Sequence, residues 1–80
     1  MSDTPQVTVY SAPWCGFCRA AKQYLDQKGV KYTDKDVDQD RAYAEESVKL
    51  SGQMGIPVLD INGTIIVGFD RPKIDAALAG

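Results

Sequence analysis

The run Pro57-Val58-Leu59-Asp60-Ile61-Asn62-Gly63-Thr64-Ile65-Ile66-Val67 consists of two β-rich segments joined by Asn-Gly. That dipeptide is the strongest short-range signal for a β-hairpin, because the matching two-residue turn needs positive φ at both positions. Downstream, after Gly68-Phe69, the triplet Asp70-Arg71-Pro72 reads as a helix start with an acidic cap and a proline in the first turn. Ile74, Ala77 and Leu78 supply the apolar face of that last helix. Upstream, Gln6 to Ser11 reads as a strand, with Val7, Val9 and Tyr10 ahead of a turn at Ala12-Pro13. From Cys15 the pattern becomes helical through Phe17, Ala20, Ala21, Tyr24, Leu25 and Lys28, and Gly29 stands where a left-handed residue ends a helix. Val30 to Val37 reads as a second, more polar strand, with apolar contacts from Val30, Tyr32 and Val37. Asp38 or Asp40 caps a second helix that runs to about Ser51 and is stopped by Gly52. The order is therefore β-α-β-α-β-β-α in a single domain, residues 1–80. Two parallel strands joined by a crossover helix and followed by an antiparallel hairpin make an α/β, four-stranded mixed sheet flanked by helices.

With 44% hydrophobic and 25% charged residues, the composition is that of an ordinary globular chain. At 80 residues it buries only about 60% of its unfolded surface, so nearly every apolar side chain is needed for the core. No run is long and apolar enough for a membrane span, so no membrane association is expected. Met1-Ser2-Asp3-Thr4-Pro5 lacks the basic start and apolar run of a signal peptide, which implies a cytoplasmic protein. A net charge of −2 and a pI near 4.8 argue against a nucleic-acid partner, which requires a basic surface. The acidic residues Asp34, Asp36, Asp38, Asp40, Glu45 and Glu46 read as a solvated loop and helix face.

The chain has two cysteines and no histidine, and both cysteines fall in Cys15-Gly16-Phe17-Cys18. A multi-bridge disulfide scaffold is thereby excluded. A bridge between them closes almost no loop and adds little stability, so it reads as a reagent. Only a thiolate attacks a disulfide, and an ordinary cysteine is about 3% thiolate at pH 7. Cys15 follows a strand and a turn at the first position of the expected helix, where unpaired N–H groups and the helix dipole favour negative charge. A pKa near 6.5 would raise the thiolate to about three quarters. Arg19 and Lys22 lie one and two turns further on and add secondarily to the field. Cys18, three residues on and on the same helix face, is placed to attack Cys15 and release the substrate. Gly16 leaves the helix start open to a partner's backbone, and Phe17 offers an apolar contact or helps close the core. Three other readings stand beside this one. The pair is half of a zinc site, although zinc wants four ligands and the chain has no second cysteine pair and no histidine; or it is a chance pair of small buried residues; or it belongs to an iron–sulfur site shared between two chains. Pro57 opens a strand and cannot complete a ladder there, leaving the backbone before it free to pair with a substrate strand. On residues alone a trans Ile56–Pro57 bond is the ordinary expectation.

Taken together, Tyr10-Ser11-Ala12-Pro13-Trp14-Cys15-Gly16-Phe17-Cys18, Ile56-Pro57 and Gly68-Phe69-Asp70 resemble the glutaredoxin branch of the thioredoxin superfamily, over nearly the whole chain from Val7 to about Leu78. The small bacterial glutaredoxin-like redoxins, of the YruB-like and NrdH-redoxin types, are similar in Ser51-Gly52-Gln53, Ile56-Pro57-Val58 and Val67-Gly68-Phe69-Asp70-Arg71-Pro72. The resemblance implies the thioredoxin fold, a cis Ile56–Pro57 bond and disulfide reduction by Cys15 and Cys18. It also implies a substrate- or glutathione-binding set of Trp14, Phe17, Ile56, Pro57, Gly68, Phe69 and Asp70. No bound cofactor or metal is implied. The expected reductant is glutathione or a thioredoxin-reductase-type flavoenzyme, the expected partners are disulfide-containing proteins such as ribonucleotide reductase, and a monomer is expected. The alternative function is a glutathione-ligated [2Fe–2S] carrier or sensor in a dimer. Thioredoxin itself is less similar: it has proline where Phe17 stands and a buried carboxylate where Val9 stands. Glutathione-using glutaredoxins usually read Cys-Pro-Tyr-Cys and Thr-Val-Pro, against Cys15-Gly16-Phe17-Cys18 and Gly55-Ile56-Pro57 here. Their Gly-Gly-x-Asp/Thr-Asp loop matches Val67-Gly68-Phe69-Asp70-Arg71, in which one glycine is valine and the final aspartate is arginine. A partner for the tripeptide's ammonium is thus replaced by a like charge, leaving Asp70 to accept that ammonium or simply to cap the last helix.

Overall fold

Seven elements follow one another in a computed structural model that describes residues 6–53 and 55–79. They are β1 (Val7–Ser11), α1 (Gly16–Gln27), β2 (Thr33–Asp36), α2 (Arg41–Ser51), β3 (Val58–Ile61), β4 (Thr64–Val67) and α3 (Arg71–Ala79). The reading of Met1–Pro5 lies outside the described residues. The sheet order is β2-β1-β3-β4, with β1 parallel to β2 and antiparallel to β3, and β3 antiparallel to β4. This is the thioredoxin fold. Asn62 (φ 53°) and Gly63 (φ 91°) take the positive φ values that the hairpin turn needs. Asp40 caps α2 through its Oδ1, which accepts from Ala42 N at 2.9 Å, and Gly52 ends that helix at φ 76°.

The register sorts side chains to two faces, since neighbours along a strand alternate. Val7 and Val9 pair with Ile61 and Leu59, and Leu59 with Ile66. These five pack against Ala21 and Leu25 of α1 and Ile74 of α3 in the main core. β2 is shorter than the expected Val30–Val37, because only Thr33 to Asp36 pairs with β1. Val30 N instead donates to Leu25 O at 2.9 Å and closes the end of α1. The apolar contacts survive this shortening: Val30 and Tyr32 pack on the main core, and Val37 on the cluster around the cysteines.

Across the sheet, α2 is held by polar contacts, with Ser47 its buried residue. The Tyr10 hydroxyl and the Lys35 ammonium both donate to Glu46 Oε1, the latter at 2.8 Å. Lys35 Nζ also lies 5.5 Å and 5.4 Å from the Tyr10 and Tyr43 ring centroids. Hydrogen bonds from Lys35 and Tyr10 hold the Glu46 carboxyl below its usual range, while burial and the Glu46 carboxylate push the Tyr10 phenol upward. A depressed carboxyl contributes stability that is present above its unfolded value, about pH 4.3, and lost as pH falls through the lower folded value. Glu46→Gln is therefore expected to lower the urea midpoint at pH 7. The gap to the parent should narrow once the pH drops below about 4. A gap that stays constant down to the acid transition would show that the Glu46 charge does not anchor α2.

Candidate active site

β1 runs into a turn that Cys15 N closes by donating to Ala12 O at 3.1 Å. The helix after it starts one residue later than expected: Cys15 is extended (φ −90°, ψ 110°) and serves as the cap of α1. Its Sγ accepts from Cys18 N at 3.1 Å, the role a serine or aspartate oxygen usually fills. The two sulfurs are joined in a disulfide, with Cα atoms 5.2 Å apart. Cys15 keeps 8% of its surface accessible and Cys18 keeps none. Cys15 is thus the one of the two with surface left toward an incoming partner, and its sulfur sits on an orphan helix N–H, which favours negative charge there. The other is sealed behind it, within reach of the first.

Three segments distant in sequence meet around this pair. Ala12, Val37 and Ile56 pack with Cys15 and Cys18 in a small apolar cluster. The Ile56–Pro57 bond is cis, as the family resemblance implied, and Pro57 is buried. Pro57 O accepts from Gly68 N at 2.8 Å, which ties the loop after β4 (Gly68, φ 84°) to the segment beside the cysteines. Trp14 and Phe17 flank Cys15 and are 70% and 71% exposed. Phe17 does not help close the core: the buried stripe of α1 runs through Cys18, Ala21 and Leu25. Phe69 and Asp70 are engaged elsewhere. The Phe69 ring meets Tyr24 edge-to-face at 5.8 Å, and Asp70 Oδ1 accepts from Lys73 N at 3.2 Å as the cap of α3.

The acidic run is not merely solvated. Asp38 Oδ2 accepts from the Trp14 indole N–H at 2.6 Å and so fixes the ring beside Cys15. Asp34 pairs with Lys22 Nζ at 3.0 Å and accepts from the wholly buried Ser11 hydroxyl at 2.6 Å. Lys22 also donates to Ser11 Oγ, so its charge is spent beside β1 rather than added to the field at Cys15. Arg19 reaches the Pro13 carbonyl at 3.4 Å, nearer the cysteines. An acidic residue in a loop carries no sequence mark of the tryptophan it will meet, so the role of Asp38 is visible only in the fold. Among the described residues, no group of three or more histidine, cysteine or carboxylate side chains is placed to hold a metal ion.

The glutaredoxin family model matches residues 7–66. A glutaredoxin-like 8.6 kDa protein from the rubredoxin operon of Clostridium pasteurianum is 42% identical over 69 residues, covering 86% of this chain and 92% of that one. Glutaredoxin 3 of Escherichia coli is 34% identical over 64 residues, covering 80% of this chain and 77% of its own length. Among solved structures, buckwheat glutaredoxin in complex with glutathione superposes with a TM-score of 0.77 at 28% identity, covering 94% of this chain and 74% of that one.

Proposed function

The chain belongs to the glutaredoxin family of thiol–disulfide oxidoreductases, and on that premise we propose that Cys15 is its nucleophile, Cys18 its resolving thiol, and disulfide-containing proteins its substrates. The observation that carries this reading is the inequality of the two sulfurs, one accessible and seated on the Cys18 N–H, the other sealed. In the reduced protein, Cys15 thiolate attacks one sulfur of a substrate disulfide. The substrate S–S bond breaks, its other half departs as thiolate, and a mixed disulfide forms at Cys15. Cys18 then gives up its proton to water or to the departing thiolate and attacks Cys15 Sγ. The mixed disulfide breaks, the second substrate thiol leaves, and the Cys15–Cys18 disulfide remains. Two electrons have passed to the substrate, and two must come back from a reductant. In place of thioredoxin's buried carboxylate stands Val9, fully buried in the main core, so the Cys18 proton has no acid partner on β1.

The exposed Trp14 and Phe17 rings offer apolar contacts to a polypeptide partner. The backbone before Pro57 is the edge to which a substrate strand adds. Gly68 is tied through its N–H to Pro57 O beside the cysteines, while Phe69 and Asp70 anchor the loop that carries it through Tyr24 and the α3 cap. The protein works as a monomer in the cytoplasm, on protein disulfides such as that of ribonucleotide reductase and on glutathione mixed disulfides. NADPH consumption by the oxidised protein under two recharging systems tests the reductant: glutathione with glutathione reductase, or thioredoxin reductase alone. Arg71 in place of an ammonium-binding aspartate favours the flavoenzyme arm. Turnover with glutathione alone would mean that Gly68 and Asp70 still hold the tripeptide. No turnover in either arm, with a visible charge-transfer band after anaerobic purification, would overturn the reading in favour of a cluster carrier.

A further inference from the structure

Resting on the reading of Cys15 as nucleophile toward protein disulfides, we propose that Arg71 selects substrates carrying an acidic side chain a few residues from the reactive cysteine. A groove of about 240 Å³ lies between α1 and the start of α3, lined by Ala20, Gln23, Tyr24, Gln27, Phe69 and Arg71. The Arg71 guanidinium lies 5.9 Å from the Tyr24 ring centroid and 5.5 Å from that of Phe69, and the two rings hold each other edge-to-face. A guanidinium held over aromatic rings by cation–π attraction keeps N–H donors that those contacts do not use and that a carboxylate can accept from. Among the described residues, no carboxylate lies within ion-pair distance of Arg71. The acids nearby are committed. Asp75 accepts from the Tyr24 hydroxyl at 2.6 Å and pairs with Lys28 at 3.0 Å, and Asp70 caps α3. The Gln23 and Gln27 amides line the same groove and enter no hydrogen bond among the described residues, so the groove offers donors around one unspent positive charge.

Position decides the kind of ligand. Gln23 is eight residues beyond Cys15, so the groove's middle lies about 12 Å along the α1 axis from the open sulfur. An extended chain covers about 3.3 Å per residue, so a segment attached at Cys15 reaches the groove about four residues away. Its path leaves the Pro57 edge by way of Gly68, whose N–H is bonded to Pro57 O, and passes onto Phe69 and Arg71. A polypeptide substrate spans this distance, and its acidic side chain meets the complementary charge there.

The test uses disulfide-linked homodimers of a short cysteine peptide with Glu, Gln or Lys four positions to either side of the cysteine. KM and kcat are measured with the full chain and with Arg71→Gln and Arg71→Lys. The expected result is a KM about threefold lower for the Glu peptide than for the Gln peptide, with kcat unchanged and the advantage shrinking as salt is added. Arg71→Gln should abolish that difference while reducing the Gln peptide as the parent does, and Arg71→Lys should keep part of it. Equal KM values for the three peptides with the parent protein, or a Glu preference that survives Arg71→Gln, would overturn the proposal and leave the disulfide reductase reading intact. Failure of the parent to reduce any of the peptides would instead strike that underlying reading.

Discussion

Cys15→Ser is expected to abolish disulfide reduction, with turnover falling at least ~10³-fold, because a hydroxyl cannot take the part of the attacking thiolate. The substitution is structurally mild. Serine is a good helix cap, so its oxygen can accept from Cys18 N as Sγ does now, and α1 should keep its start. Cys18→Ser should behave differently. The nucleophile remains, the first exchange goes forward, and the protein accumulates as a mixed disulfide whose added mass is half of the substrate. Release then depends on an outside thiol, so glutathione mixed disulfides continue to turn over while protein disulfides stall. Intact-mass analysis after mixing each variant with an excess of a peptide disulfide separates the cases. An adduct on Cys15→Ser with none on Cys18→Ser would reverse the two roles. Full activity in Cys15→Ser would remove the dithiol from the mechanism altogether.

What could be read in advance was whatever local chemistry decides. Asn62-Gly63 and the Gly52 stop dictate their own backbone from within a few residues and are found where the residues put them, and of the two candidate caps, Asp38 and Asp40, the second is used. The cysteine pair belongs to this class too, since a cap residue and the third residue of its helix are near enough to bring the sulfurs together. What could not be read depends on chain segments meeting. Asp38 has a function because folding brings it to Trp14, 24 residues away. Glu46 meets Tyr10 across the sheet, so its charge is an anchor rather than a solvated ornament. Phe17 fits the apolar spacing of α1 in one dimension, yet the buried stripe lies about 100° around the helix, through Cys18. The start of β2 is hidden for the same reason: Val30 and Tyr32 are half-buried just before Thr33, but their contacts are with the core and not with a ladder.

Replacing Ile74 with alanine should remove about 3 kcal/mol of stability, a large share of the roughly 4–12 kcal/mol expected for a domain of this size. α3 has nine residues, too few to hold as a helix alone, so its structure depends on docking. Ile74 is its buried residue and sits among Val9, Leu25, Leu59, Ile61 and Ile66. The polar links between α3 and α1, from Asp75 to Tyr24 and Lys28, are solvent-exposed pairs of the kind that contribute little in water and cannot replace that packing. Leu78→Ala, at a half-buried position on the same helix, should cost less than half as much. The consequence reaches the site because the segment leading into α3 carries Gly68, whose N–H is bonded to Pro57 O beside the cysteines. In Ile74→Ala, amide hydrogen exchange should accelerate first in α3 and then at Gly68. Turnover of a small disulfide, which needs only Cys15 and Cys18, should persist at temperatures where peptide substrates already bind poorly. A urea midpoint that moves by less than the equivalent of about 1 kcal/mol would mean that the core closes over the missing atoms. α3 would then be held chiefly by Leu78, Ala77 and its polar links, and the Gly68 segment would not depend on Ile74.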